Sequence, residues 1–449
     1  MEKNWTNGSV FKNIVLFSLP YLLSYFLQTF YGLADMFIIG LFGEVADTTS
    51  VSIGSQIMHM FTVIIVGLAM GSTVMISRSI GENDKTKAKK YIGNTFSIFL
   101  LLSIFLTIIL ILLIKPIVKV MSTPQEAVEG TSRYILVCFI GIPFITAYNV
   151  ISSIYRGLGD SKTPMYFIAI ACVFNIALDF LFIGHFKLGP LGAALATTIS
   201  QVISVIIALI SILLKTNDIF PKHNDFKIDK SYAKEILKVG LPIAIQDGFI
   251  QIAFIVITII ANKRGLNDAA AVGIVEKIIG IVFLVPSTML STVSALCAQN
   301  FGANKYSRAK KTLLYAILIT LIYGIIISII LVIFAKSAVS IFTESNTVAQ
   351  MGGEYLKSYI WDCIFAGMHF CFSGYFCANK KSLLSFVHNA ASIVLARIPL
   401  SYSFSTLYPE TLLPMGLAAP IGSLLSVIIC IIFYIYIQKK SKKLTSNCF

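Results

Sequence analysis

The chain has 449 residues, of which 57% are hydrophobic and only 12% charged, with a net charge of +14 at neutral pH and a mean hydropathy of +0.84. A soluble protein of this length carries about twice that charge fraction and needs polar residues to cover its surface. The composition therefore excludes a soluble enzyme or binding domain and points to an integral, helical membrane protein.

Crossing a bilayer takes about 20 mostly apolar residues. Runs of that kind predict twelve spans, at 14–40, 52–78, 92–114, 132–155, 163–184, 191–214, 236–262, 270–297, 312–335, 354–378, 382–404 and 413–437. The first run is too long for a signal peptide, lacks a small-residue cleavage site and contains Asp35, so no cleavable leader is expected. The longest inner connection, 215–235, divides the chain into a lobe at 1–214 and a lobe at 236–438, followed by a basic tail at 439–449. Lys and Arg fall unevenly on the two sides of these spans. The side holding the N-terminus, the even-to-odd connections and the tail carries 25, the opposite side carries 8, and Lys277 and Arg397 lie within spans. By the positive-inside rule both termini are expected on the cytoplasmic side, and the basic excess marks topology rather than nucleic-acid binding. The sequons Asn4-Trp5-Thr6 and Asn7-Gly8-Ser9 are then idle.

The halves echo one another. Leu19-Pro20 opens the first span and Leu241-Pro242 the seventh, an offset of 222. Gly81-Glu82-Asn83-Asp84 follows the second span and Gly302-Ala303-Asn304-Lys305 the eighth, an offset of 221, each running on to a pair of lysines. Pro190-x-Gly192 and Pro414-x-Gly416 open spans six and twelve, an offset of 224. Six spans per half is an even number, so both halves enter the membrane in the same sense. The expected fold is all-α, with twelve transmembrane helices in two parallel six-helix repeats around a central cavity, working by rocking of the two lobes.

An acidic residue at a helix centre costs about 2.5–3.5 kcal/mol on insertion scales, which makes each one a candidate functional group. Asp35 lies deep in span one, Asn175 and Asp179 share a face of span five at a spacing of four, and Thr197 and Thr198 lie in span six. Two carboxylates, an amide oxygen and a hydroxyl suit a hard cation such as Na⁺. The same two carboxylates in a low-dielectric cavity would equally hold a proton. The second half does not repeat this cluster. It offers Gln246 and Asp247 in span seven, Glu276 beside Lys277 in span eight, Asp362 in span ten and Arg397 in span eleven. Gln28, Tyr31, Gln246, Asp247, Glu276 and Asp362 are the candidates for lining a substrate cavity, where aromatic rings would receive planar cations.

The other chemistry expected of an enzyme is missing. The eight cysteines form no CxxC pair and read as small hydrophobes. The five histidines (His59, His185, His223, His369, His388) have no metal-ligand spacing, no P-loop is present, and no nucleophile with its base stands out. The expectation is a transporter without cofactor, driven by an ion gradient.

At particular residues the sequence resembles the multidrug and toxic compound extrusion (MATE) family, over essentially the whole chain. These are Leu19-Pro20, Tyr31-Gly32-Leu33-Ala34-Asp35-Met36-Phe37-Ile38-Ile39-Gly40, Gly81-Glu82-Asn83-Asp84, Asn175-x-x-x-Asp179 and, most specifically, Tyr155-Arg156-Gly157-Leu158-Gly159-Asp160-Ser161-Lys162-Thr163-Pro164. The resemblance implies export of amphipathic, often cationic drugs or toxic organic cations in exchange for H⁺ or Na⁺, by a monomer that confers antibiotic resistance. It also implies a cation or proton site at Asp35, Asn175, Asp179 and Thr197. The second lobe departs from the pattern. Tyr375-Phe376-Cys377-Ala378-Asn379 replaces Arg-Gly-x-Gly-Asp, Ile250 stands where one branch has Glu, and Asp362 lies about a turn from that branch's Asp. The sequence thus looks closer to the MepA-like prokaryotic branch. The alternative within the superfamily is a flippase for lipid-linked oligosaccharides, which would want basic cavity residues where this chain leans acidic. A major-facilitator transporter is set aside because its Gly-x-x-x-Asp-Arg-x-Gly-Arg loop is missing, and a membrane enzyme because no convergent catalytic set exists.

Overall fold

A computed structural model describes residues 3–214 and 221–446, and among them every regular element is helical. The first part of the predicted connection, 215–220, and the last three tail residues with Cys448 lie outside the described residues. In chain order the spans are α1 (Val10–Phe42), α2 (Val45–Gly81), α3 (Lys85–Leu112), α4 (Gln125–Ile140 and Ile142–Gly157), α5 (Lys162–His185) and α6 (Gly189–Leu214). They continue with α7 (Lys230–Asn262), α8 (Leu266–Gly302), α9 (Tyr306–Ile333), α10 (Asn346–Tyr359 and Asp362–Ala378), α11 (Ser382–Leu407) and α12 (Leu413–Lys440).

Ten of these are long and apolar enough to cross a membrane unaided, and the two halves of α4, bent by 49°, together make an eleventh. The bend falls at Gly141 with Pro143 behind it, a pair that breaks the hydrogen-bond ladder. The α10 region differs from a single run at 354–378. Its first half carries Gln350, Glu354 and Lys357, and the helix restarts at Asp362 after a break at Ile360-Trp361.

The chain forms two compact units. One comprises the N-terminal residues through Trp5 together with Val15–Ala244, and the other comprises Thr6–Ile14 with the chain from Ile245 onward. Each inverts the pattern of a soluble protein. Leu100, Leu101, Phe105 and Ile108 on α3, and Leu314, Leu318, Ile322 and Ile326 on α9, are exposed as a lipid-facing surface requires, while Ser72, Thr73, Ser77, Ser291, Thr292 and Ser294 are buried. The seven described cysteines are buried and form no disulfide among themselves.

The repeat extends to single hydrogen bonds. Thr107 Oγ1 donates to the Phe139 carbonyl at 3.3 Å, and Ser328 Oγ, 221 positions on, donates to Ile360 at 3.1 Å. Thr73 on Ser153 O at 3.0 Å matches Ser294 on Gly374 O at 3.3 Å. Asn83 and Asn304, at the same offset, both take φ of 57°, a left-handed conformation that asparagine tolerates better than most residues.

The connection into α7 is docked rather than free. Ser97 Oγ donates to Phe226 O at 2.6 Å, Asn94 Oδ1 accepts from the Asp229 amide at 2.8 Å, and the Tyr91 hydroxyl donates to Glu235. At the N-terminus, the Lys3 amide and the Trp5 indole donate to the carbonyls of Leu158 and Gly159. Beyond that crossing point, Lys305 Nζ donates to Thr6 O at 3.0 Å and Asn7 Oδ1 at 2.8 Å, while Arg308 donates to Asn7 O and Gly8 O, both at 2.8 Å.

Arg264, counted from the sequence as an ordinary loop charge, clasps the α11–α12 connection. Its guanidinium pairs with Asp268 at 3.1 Å and donates to the carbonyls of Ser405, Tyr408, Pro409 and Thr411 at 2.7–3.2 Å, with the side chain only 7% exposed. Removing it would leave a largely buried Asp268 and four carbonyls unsatisfied, a loss of roughly 3 kcal/mol. Arg264→Ala is therefore expected to lower the melting temperature in detergent by about 5 °C. A melting curve superimposable on the parent's would show the clasp to be idle.

Candidate functional site

Three helices of the first unit bring the sequence-predicted coupling residues together. Asp35 projects from α1, Asn175 and Asp179 from successive turns of α5, and Thr197 from α6. Thr197 Oγ1 donates to Asp35 Oδ2 at 3.1 Å, and Asp179 and Asn175 lie beside the same carboxyl. Asp35 is 5%, Asn175 1% and Asp179 0% exposed. Immediately after Asp179 the helix widens into a π turn over Phe180–His185, a feature found often at functional positions.

The cluster is under-satisfied. Asp35 Oδ1, both oxygens of Asp179, both polar atoms of the Asn175 carboxamide and Thr198 Oγ1 are buried without a hydrogen-bond partner. Buried polar atoms are nearly always paired, and two carboxylates out of water cannot both stay bare and charged at close range. The orphaned oxygens of Asp35, Asp179 and Asn175, three carboxylate and one carboxamide, make a donor set that fits a small hard cation or a proton shared between the acids. Among the described residues no group of three or more His, Cys, Asp or Glu side chains is placed to hold a metal ion.

Tyr31, one turn before Asp35, stands beside it and beside Tyr148 of α4, and accepts from Gln201 Nε2 at 3.4 Å. Gln28, one turn further back, lines a narrow cleft with Tyr21, Ser24 and Tyr25 of α1, Val66 of α2, and Tyr148, Asn149 and Arg156 of α4.

The second-unit candidates do not converge on one point. Gln246 is buried and its Oε1 accepts from Ser385 Oγ at 2.6 Å, while Asp247, next to it, is half-buried. Glu276 accepts from Thr258 Oγ1 at 3.4 Å, and its sequence neighbour Lys277 points outward. Asp362, wholly buried, lies 3.9 Å from Arg397, which also donates to the Tyr359 hydroxyl and lies over the ring of Phe254 at 5.2 Å. Arg397 is thus the counter-charge to Asp362 and acts on Glu276 as well. The sequence had given Arg397 no partner. The signal available was only its presence in a span that otherwise lacks charge.

The MatE family model matches residues 20–181 and again 242–403, one copy in each half. The chain is 30% identical to the probable multidrug resistance protein YpnP of Bacillus subtilis over 98% of both chains. It is 27% identical to the multidrug export protein MepA of Staphylococcus aureus over 81% of both. An outward-facing MATE family transporter of the MOP superfamily shares the fold, with a TM-score of 0.91 over 98% of both chains at 23% identity. The chain belongs to the MatE family of multi-pass membrane transporters and is not an enzyme.

Proposed function

We propose that the chain is a secondary multidrug antiporter of the bacterial inner membrane, exporting amphipathic, often cationic compounds in exchange for H⁺ or Na⁺. The observation that carries this reading is the buried, under-satisfied cluster of Asp35, Asn175, Asp179 and Thr197. An ion bound there in one state and released in the other has the differential affinity that alternating access requires. The names of YpnP and MepA support the drug class. The lobes are residues 1–214 and 236–438, the connection 215–235 and tail 439–449 face the cytoplasm with both termini, and the working unit is the monomer. Gln28 and Tyr31 in the first unit and Asp247 and Glu276 in the second are the residues offered to substrate, whereas Gln246 and Asp362, expected to line the cavity, are fully buried against Ser385 and Arg397.

The test is ethidium efflux from vesicles reconstituted with the purified chain, under imposed H⁺ or Na⁺ gradients of equal size. Efflux driven at least about tenfold above the no-gradient rate by one of the two identifies the coupling ion; a tenfold effect needs only about 1.4 kcal/mol of coupling. Efflux indifferent to both gradients, with folded protein, would overturn the antiporter and favour a flippase.

A further inference from the structure

The second unit reverses charges that the first unit uses at the same places of the repeat. In the first, Glu82 pairs with Lys87 at 2.7 Å and Arg78 at 3.4 Å, and Asp84 caps α3 by accepting from the Lys87 amide at 2.9 Å. Asp160, in the turn between α4 and α5, accepts from the Lys162 and Thr163 amides at 3.0 and 3.1 Å. Moved on by 221 residues, these three acids become Ala303, Lys305 and Lys381. The backbone of the turn is the same in both places. The Asp160 amide donates to Tyr155 O and the Lys381 amide to Phe376 O, both at 2.8 Å, and the preceding residues, Gly159 and Lys380, take φ of 88° and 57°. The turn is kept and the sign of its side chain is changed.

Lys381 lies beside Lys440 of α12, and burial, with this second ammonium, holds Lys381 below the usual lysine range. Lys439 and Lys440 are exposed, and Lys310 and Lys311 lie near the start of α9 on the same side of the spans. Among the described residues none of these five lysines pairs with a carboxylate. The acids of the second unit lie elsewhere. Asp268, Glu344, Glu354 and Glu410 are at its other end, Glu276 and Asp362 are within spans, and Asp247 is half-buried in α7 near Cys377. Rings run between the lysines: Tyr306 packs on Phe301 and Phe301 on Tyr375, whose hydroxyl accepts from Gln438 Nε2 at 3.2 Å. Tyrosines of this kind sit at the headgroup level of a bilayer. Like charges gathered without an anion repel, and the anion on hand at that level is lipid phosphate.

We propose that the end of the second unit formed by Lys310, Lys311, Lys381, Lys439 and Lys440 is a docking surface for the phosphates of anionic phospholipids in the cytoplasmic leaflet. Lipid supplies there the negative charge that Glu82 and Asp160 supply in the first unit. The surface rests on the orientation with both termini cytoplasmic and not on which drug or ion is carried.

Native mass spectrometry of the purified full chain, titrated with phosphatidylglycerol or phosphatidylcholine of the same acyl chains, reads the preference directly. Phosphatidylglycerol should bind at least about tenfold more tightly, because each lysine near a headgroup contributes about fivefold. Lys381→Gln with Lys440→Gln should weaken phosphatidylglycerol at least about tenfold and leave phosphatidylcholine unchanged, whereas Lys381→Arg with Lys440→Arg should keep the preference. Lys310→Gln with Lys311→Gln should act in the same direction as the first pair. Lys336→Gln with Lys357→Gln removes the same charge from exposed positions at the other end of the unit and should change nothing. Equal affinity for the two lipids, or an equal loss in the Lys336, Lys357 pair, would overturn the surface. So would full displacement of phosphatidylglycerol by equimolar inorganic phosphate, which would assign the lysines to a soluble anion. These titrations use no gradient. Loss of the lipid preference would leave the exporter reading standing, and failure of ion-driven efflux would leave the docking surface standing.

Discussion

Ion-driven ethidium efflux should fall at least about tenfold in Asp179→Asn and in Asp35→Asn, a change that needs only about 1.4 kcal/mol of lost ion affinity. Asparagine keeps the volume and hydrogen-bonding capacity of each carboxylate, so both variants should fold. What it removes is the charge that lets the site hold an ion in one state and release it in the other. The neighbours set a graded series. Asn175→Ala removes one orphaned carbonyl oxygen from the donor set and should be intermediate. Thr197→Val removes the single hydroxyl bond to Asp35, about 1 kcal/mol, and should weaken ion affinity roughly fivefold. Ethidium binding without a gradient should be preserved across the series, because the cluster handles the ion. Undiminished pumping by an Asp35→Asn, Asp179→Asn double variant would remove the cluster from the mechanism.

A leucine at Gly240 or Gly71 should prevent folding, for a reason lying wholly in the backbone. Within the first unit, α2 and the start of α7 cross at these two glycines. A Cβ on Gly71 would sit 2.2 Å from the Ile236 carbonyl oxygen, and one on Gly240 would sit 2.2 Å from that of Leu68. Neither oxygen can turn aside as a side chain can, so the helices would have to separate. Small residues are what permit close helix approach in a membrane, where no hydrophobic force draws helices together. Even Gly240→Ala is expected to cost more than about 4 kcal/mol, the exceptional tail of single substitutions. The yield of monodisperse protein on size exclusion should drop at least tenfold for Gly240→Leu, a factor that about 1.4 kcal/mol suffices to produce. Alanine at Gly273 or Gly280, where a Cβ meets nothing within 4 Å, is the matched control and should purify like the parent. Normal yield of Gly240→Leu would disprove the close crossing.

The first-unit cluster was legible because lipid makes polar residues conspicuous. Asp35, Asn175, Asp179 and Thr197 stand out in apolar runs, and the spacing of four between Asn175 and Asp179 places both on one face. The duplication was legible because turn residues such as Asn83 and Asn304 are confined by backbone conformation, and so mark equivalent places in both halves. What stayed hidden depends on partners far apart in sequence. Arg397 finds Asp362 on another helix, and Arg264 spends its donors on main-chain carbonyls, which have no sequence signature. The break in α10 was hidden for a related reason. The run at 354–378 takes Glu354 and Lys357 into one continuous span, and only the helix restarting at Asp362 shows Asn346–Tyr359 to be a separate half.

The bonds that hold Thr6, Asn7 and Gly8 bear on the order of assembly. Their partners, Lys305 and Arg308, are made some 300 residues later, roughly 15–60 s at ribosomal speed. Lys3 and Trp5 can dock on Leu158 and Gly159 once the fourth span is made, but the bonds to Thr6, Asn7 and Gly8 can form only after the eighth has been inserted. The first turn of the chain is thus tied by its own second half, so its final hydrogen bonds report that both halves are present.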